Sequence, residues 1–232
     1  MTVKNTLQKK EEHSVKFMVG NDEVKLSPSI IRNYLVNGNG AVTDQEVNYF
    51  IHLCRGQNLN PFLKEIYLIK FGTQPATFVV AKEAFLKRAE ANPQYDGSES
   101  GIIVIDKDGE IVNRKGGFYL KDTEQVVGGW AKVYRKDRKY PSEVEVTFDE
   151  YAGRKSDGTL NSNWSGKPAT MIKKVALVQA LREAFPNDLN NLYTEEEQGD
   201  IEVPYIPETP IEQLKEEPKQ EAVDVDYGES LV

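Results

Sequence analysis

Between Lys132 and Tyr140 the chain reads KVYRKDRKY, which places five cations and two tyrosines in nine residues. That mixture suits a nucleic acid strand, because cations displace the counterions condensed on phosphates and aromatic faces stack on unpaired bases. Lys132, Tyr134, Arg135, Lys136 and Arg138 are therefore candidate contacts to DNA. A solvated hairpin tip has the same composition and is the plain alternative. Extended alternation sends Lys132 and Tyr134 to one face and Arg135 to the other, so not all of the cluster serves one groove. A second group runs from Trp164 through Lys167 into an apolar helix whose few polar side chains include Lys173, Lys174 and Arg182. Cations on such a helix must reach water, pair, or line a groove. Glu183 is a candidate partner for one of them. Arg114-Lys115, ahead of Gly116-Gly117-Phe118-Tyr119, and Arg154-Lys155 read as ordinary surface charge.

Other chemistries find little support. A phosphate-cradling G-x-x-x-x-G-K-[ST] loop does not occur; Gly166-Lys167-Pro168 lacks the first glycine and the hydroxyl residue. Two histidines, His13 and His52, and one cysteine, Cys54, leave a zinc site almost without ligands. Cys54 lies in the apolar pattern YFIHLC and reads as a core thiol rather than a nucleophile. Asp106-x-Asp108 and Asp149-Glu150 are possible magnesium ligands, but hairpin turns and helix starts explain them as well.

The elements that must hold these residues follow from charge and periodicity. The net charge of -8 divides unevenly: residues 191–232 contain 13 acidic residues and two lysines, leaving the preceding residues mildly basic. Three regions are expected: a flexible leader over 1–13, a domain over 14–190 that carries the candidate DNA contacts, and a disordered acidic tail over 191–232, with prolines at 204, 207, 210 and 218. No window is apolar enough to span a membrane, and the N-terminus lacks the apolar stretch of a secretory signal, which points to a soluble intracellular protein.

Within the domain, Ser27-Pro28 starts a short helix. Thr43-Asp44-Gln45-Glu46 is a capping box opening a helix that closes near Gly56, with Val47, Phe50, Ile51 and Cys54 on one face. Glu65–Phe71 and Thr77–Val80 read as paired strands, and Ala81–Asn92 as a helix ended by Pro93. From Gly101 the strand formers IIVI, IV, FYL, VVGGWAKVYR and EVEVTF follow one another, with a hairpin turn at Asp108-Gly109. The closing element TMIKKVALVQALREAF is apolar on nearly every side and predicts a buried helix. The expected class is α+β, an antiparallel sheet with a packed closing helix, N-terminal helices and the acidic tail.

LNPFLKEIY (59–67), PQYDG (93–97), VYRKDRKYP (133–141) and W-x-x-x-P-x-x-M-I-K-K-x-A-x-x-Q-A-x-R-x-A-F (164–185) resemble, in order and near spacing, the motifs of the RecT/Redβ (Bet) phage single-strand annealing recombinases. The resemblance implies a β-β-β-α core and an oligomeric ring or filament. It implies ATP-independent annealing of single-stranded DNA, with an annealed duplex as intermediate, no required cofactor, and magnesium at most as a counterion. It assigns DNA contacts to Lys64, to Lys173 or Lys174, and to Arg182. A family position that is often basic is Ala169 here, with Lys167 nearby as a substitute. Expected partners are DNA, further copies of the chain, a phage exonuclease and the host single-strand binding protein. A passive single-strand binder and a metal-dependent nuclease are the alternatives.

Overall fold

The computed structural model describes residues 14–190 and 192–197. The architecture is α+β, centred on a four-stranded antiparallel sheet of order β7-β6-β8-β9: β6 Tyr95–Ile105, β7 Ile111–Lys115, β8 Gln125–Arg135 and β9 Ser142–Thr147. Partners directly across strands share a face. Ile102 lies opposite Gly129, Gly129 opposite Val146, and Ala131 opposite Val144. This apolar row receives a long helix, Pro168–Ala184, the sixth in chain order (α6). The helix approaches so closely that a Cβ on Gly129 would stand 2.7 Å from the carbonyl oxygen of Ile172, so only glycine fits there. Ile172, Val175, Ala176, Val178, Ala180 and Leu181 of α6 are fully buried, the all-round burial expected of a helix apolar on nearly every side.

The opposite face of the sheet is charged. Lys115 pairs with Glu99 at 2.9 Å and Lys132 with Glu143 at 2.7 Å, so β7, β6, β8 and β9 present Lys, Glu, Lys and Glu in succession. Trp130 covers Gly101 on this face and donates from Nε1 to the Arg114 carbonyl at 3.2 Å.

The earlier part of the chain packs behind α6. A hairpin of β1 (Val15–Val19) and β2 (Asp22–Leu26) comes first. A single turn, α1 (Pro28–Ile30), follows, capped by Ser27 and widening into a π turn over Ile31–Leu35. Helix α2 (Asp44–Gly56) has the full capping box between Thr43 and Glu46 and buries Val47, Phe50, Ile51 and Cys54, as its spacing predicts. A small sheet joins β3 (Val36–Asn37) parallel to β4 (Ile66–Ile69), and β4 antiparallel to β5 (Thr77–Val80). Helix α3 (Lys82–Ala91) leads into β6, and the single turns α4 (Phe148–Tyr151), α5 (Ser162–Gly166) and α7 (Pro186–Leu189) flank α6.

Several expectations differ from this picture. The hairpin of residues 15–26 was not anticipated, although Val15, Phe17 and Val19 recur at every second position before a Gly-Asn turn, with Lys16 and an exposed Met18 between them. Strand β6 begins at Tyr95 rather than Gly101; its polar first half is extended because β8 pairs with it, not because of its own propensity. Phe118–Leu120 is not a strand but part of the β7–β8 connection, closed by bonds from the Thr123 and Glu124 amides to the Leu120 carbonyl. Residues 192–197, assigned by composition to the tail, are docked: Leu192 and Thr194 are buried, and the Val80 amide donates to the Tyr193 carbonyl. The leader over 1–13 and residues 198–232 of the tail lie outside the described residues.

Candidate nucleic-acid interface

The LNPFLKEIY segment is a tight loop built around two buried polar residues, Asn60 and Glu65. Asn60 caps a 3-10 turn, Pro61–Leu63, accepting from the Phe62 amide at 3.0 Å. The Glu65 carboxylate accepts from the Asn60 amide at 2.8 Å and from the Lys87 ammonium at 2.5 Å. This internal wiring forces Phe62, Leu63 and Lys64 outward; Lys64 takes a left-handed backbone, φ 59°, and is exposed without an ion partner among the described residues.

The cluster at 132–140 divides as alternation requires. Lys132 and Tyr134 lie on the charged outer face, where the hydrogen bond to Glu143 holds the Lys132 ammonium more firmly protonated than usual. Lys136 and Arg138 are exposed at the turn after β8, with Lys136 Nζ donating to the Pro93 carbonyl at 3.2 Å. Arg135 departs from expectation. Its Nε and Nη2 donate to Asp137 at 2.8 and 2.6 Å, its Nη1 donates to the Ala184 carbonyl at 2.6 Å, and its guanidinium lies 4.8 Å from the centre of the Phe185 ring. Through Nη1 Arg135 therefore satisfies a carbonyl at the C-terminus of α6, while Nε and Nη2 are committed to Asp137.

Trp164, the candidate DNA contact that opens the second group, is a core residue. It is 2% exposed and meets Phe148 edge to face at 5.2 Å, so its ring belongs to the core under α5. Lys167, between α5 and α6, is exposed.

On α6 the structure separates the cations. Lys174 is bonded to Glu196, and Arg182 Nη2 donates to both oxygens of Glu197 at 2.7 and 2.6 Å, with the Tyr193 ring 4.9 Å from its guanidinium carbon. In both pairs the carboxylate is the deeply buried member, 2% and 5% exposed against 25% and 24% for Lys174 and Arg182. Glu183, the partner considered from sequence, is exposed. Lys173 has no carboxylate partner among the described residues and sits against the β7–β8 connection, 3.9 Å from where a Cβ on Gly117 would be.

Sequence reasoning missed the two carboxylates that hold α6. A signal was present: Thr194-x-x-Glu197 repeats the spacing of Thr43-x-x-Glu46, and the Glu197 carboxylate accepts from the Thr194 amide at 3.1 Å. It also missed the exposed aromatic Phe118. The carboxylates that would serve a metal have structural roles instead. Asp106 Oδ1 accepts from the amides of Asp108 and Glu110 at 2.9 and 3.0 Å in the hairpin turn, and Asp149 pairs with Arg154 at 3.2 Å. Cys54 is fully buried, and desolvation pushes its thiol well above the usual range, which makes it an inert core residue.

A cavity of about 570 Å³ opens elsewhere, between the ends of α2 and α3 and lined by Gln57, Glu65, Lys87, Arg88 and Asp188. Its charges serve one another: Lys87 pairs with Glu65, and Arg88 donates to Gln57 and to the Asp188 carbonyl. Burial lowers the proton affinity of Arg88 against the pull of Glu65 and Asp188.

Among the described residues, no helix is long and apolar enough to cross a membrane. The profile of the RecT family matches residues 22–209. An uncharacterized protein of Ureaplasma parvum serovar 3 is 29% identical over 164 residues, covering 69% of this chain and 65% of its own length. The recombination protein Bet of Escherichia phage lambda is 23% identical over 150 residues, covering 63% of this chain and 49% of its own length. The chain thus spans between about half and two thirds of the length of these relatives. With a family match that takes in α6, the four-stranded sheet and the LNPFLKEIY loop alike, the chain belongs to the RecT family.

Proposed function

We propose that this protein binds single-stranded DNA as an oligomer and anneals complementary strands without nucleotide hydrolysis. Family membership supports the reading, as does the similarity to a phage protein named for recombination. The observation that carries it is the set of cations along and beside α6: Lys167 and Lys173 lack acidic partners among the described residues, while Lys174 and Arg182 keep part of each side chain in solvent above a buried carboxylate.

Each protomer supplies a few phosphate contacts, and protomers side by side sum them along one strand. Side chains that contact phosphate and stack carry no sequence information, so bases remain free to pair with a second strand and the duplex supplies the free energy. Lys64, Lys136 and Arg138 are further proposed phosphate contacts. ATP has no place in this scheme, and magnesium acts only as a counterion. An exonuclease that generates the single strand and a host single-strand binding protein are the proposed partners, in the cytoplasm of a bacterial host.

The test mixes two complementary fluorescent oligonucleotides with the full-length protein, with and without ATP and magnesium. Accelerated pairing that is indifferent to ATP is expected. Binding without acceleration would leave a passive single-strand binder, and loss of DNA on adding magnesium would indicate a nuclease.

A further inference from the structure

We propose that Phe118 is a base-stacking residue of the DNA site, with Lys173 as the phosphate contact beside it; this rests on the single-strand binding reading above. The β7–β8 connection is fixed at its base. The Gly116 amide donates to the Ser100 carbonyl at 2.9 Å, and the Glu124 amide donates to the Leu120 carbonyl at 2.7 Å. The Glu124 side chain, 6% exposed, accepts from the Leu120 amide at 2.8 Å and pairs with Arg114. Those bonds, the Leu120 amide first and then Arg114, hold the Glu124 carboxyl below the usual range. Tyr119 packs against the core, while its neighbour Phe118 is 77% exposed. The connection is thus braced from both ends, and it holds an aromatic ring out in water.

The neighbouring charge selects the ligand. The nearest side chains to the position of a Cβ on Gly117 are Ala169 and the ammonium of Lys173, both at 3.9 Å. Lys174, Arg182, Arg114, Lys115, Lys132 and Arg135 all have acidic partners, whereas Lys173 has none among the described residues. An exposed ring alone would suit contact with a second copy of the chain, but the core of a protein interface excludes unpaired ammonium groups. An exposed ring one residue along from the position that an uncompensated cation faces offers the two chemistries of a nucleotide, π face and phosphate. Because every base has a π face, such a contact adds affinity without sequence preference, as annealing demands.

The full-length protein is compared with Phe118→Ala and Lys173→Ala on two ligands, a deoxythymidine oligonucleotide and an abasic oligonucleotide of equal length. Phe118→Ala is expected to weaken binding to the thymidine strand by about fivefold or more and to leave the abasic strand unaffected. Lys173→Ala is expected to weaken both. Phe118→Trp adds a fluorescent ring where the native Trp130 and Trp164 are buried, and its emission is expected to be quenched by the thymidine strand and not by the abasic one. Unchanged affinity of Phe118→Ala for the thymidine strand overturns the proposal. Equal losses on both strands with a smaller sedimenting species overturn it too, and make the ring an interprotomer contact. Failure of the unsubstituted protein to bind either strand instead removes the single-strand binding reading on which the proposal stands.

Discussion

Arg182, near the C-terminal end of α6, grips both carboxylate oxygens of Glu197 through one guanidinium nitrogen, and Glu197 is the more buried of the two. The chain therefore returns after α7 to place an acid beneath a cation of its own central helix. The brace is continued by Glu196 under Lys174 and by the Tyr193 carbonyl on the edge of β5. Removing the cation from such a pair strands a buried charge.

That asymmetry separates the three cations of α6. Arg182→Ala leaves Glu197 buried without its partner and is expected to cost about 3 kcal/mol of stability, and Lys174→Ala a similar amount. Lys173→Ala breaks no ion pair among the described residues and is expected to change stability by less than about 0.5 kcal/mol. Urea unfolding of the three variants measures the difference. A strongly destabilised Lys173→Ala would mean that its ammonium has a structural role.

Salt should weaken binding to single strands steeply, with a log-log slope of about -0.7 for each phosphate neutralised. Lys173→Ala should make that slope shallower in addition to lowering affinity. A titration whose slope is near zero, or the same for both proteins, would show that phosphate contacts of this residue are not what holds the strand.

Two truncations distinguish the docked acids from those beyond them. Ending the chain after Glu197 removes ten acidic residues and two lysines while retaining Leu192, Thr194 and both carboxylate braces. It is expected to leave the melting temperature unchanged and to tighten single-strand binding at about 20 mM salt, where screening is weak and tethered acids compete best with DNA. Ending it after Asn190 strips those contacts and is expected to lower the melting temperature. Equal DNA affinity of the longer truncate and the full chain at low salt would reject self-competition and leave partner docking as the role of residues 198–232.

A pH dependence follows from Glu46. Burial opposes its ionisation, but Lys70 at 2.6 Å and the amides of Thr43 and Ala76 outweigh that and hold the carboxyl below its ordinary value. A carboxylate with a depressed folded-state pKa contributes stability that is present above its unfolded value of about 4.5 and is lost as pH falls through the lower folded value. Glu46→Gln is expected to cost about 3 kcal/mol near neutrality and to flatten the loss of stability on acidification. Denaturant melts between neutral pH and acid test this, and an acid limb as steep as in the unsubstituted protein would assign the loss to other carboxylates.

What the sequence determined by itself is local or periodic. The Thr43–Glu46 box opens α2, alternation and turn residues mark β7 through β9, and the all-round apolarity of α6 forecasts its burial. The motifs at 59–67 and 164–185 were sufficient to indicate the family. Tertiary structure decided which cations are free. Lys173 and Lys174 are adjacent and chemically identical, yet one faces Gly117 and the other Glu196, because consecutive positions on a helix point about 100° apart toward different neighbours. Arg135, in the middle of the basic run, serves the end of α6 because that carbonyl needs a donor. Trp164 disappears into the core, while Phe118, of no special note in the sequence, is held in water by bonds that close the connection around it. Burial and ion pairing depend on partners far along the chain, and only the folded protein brings them together.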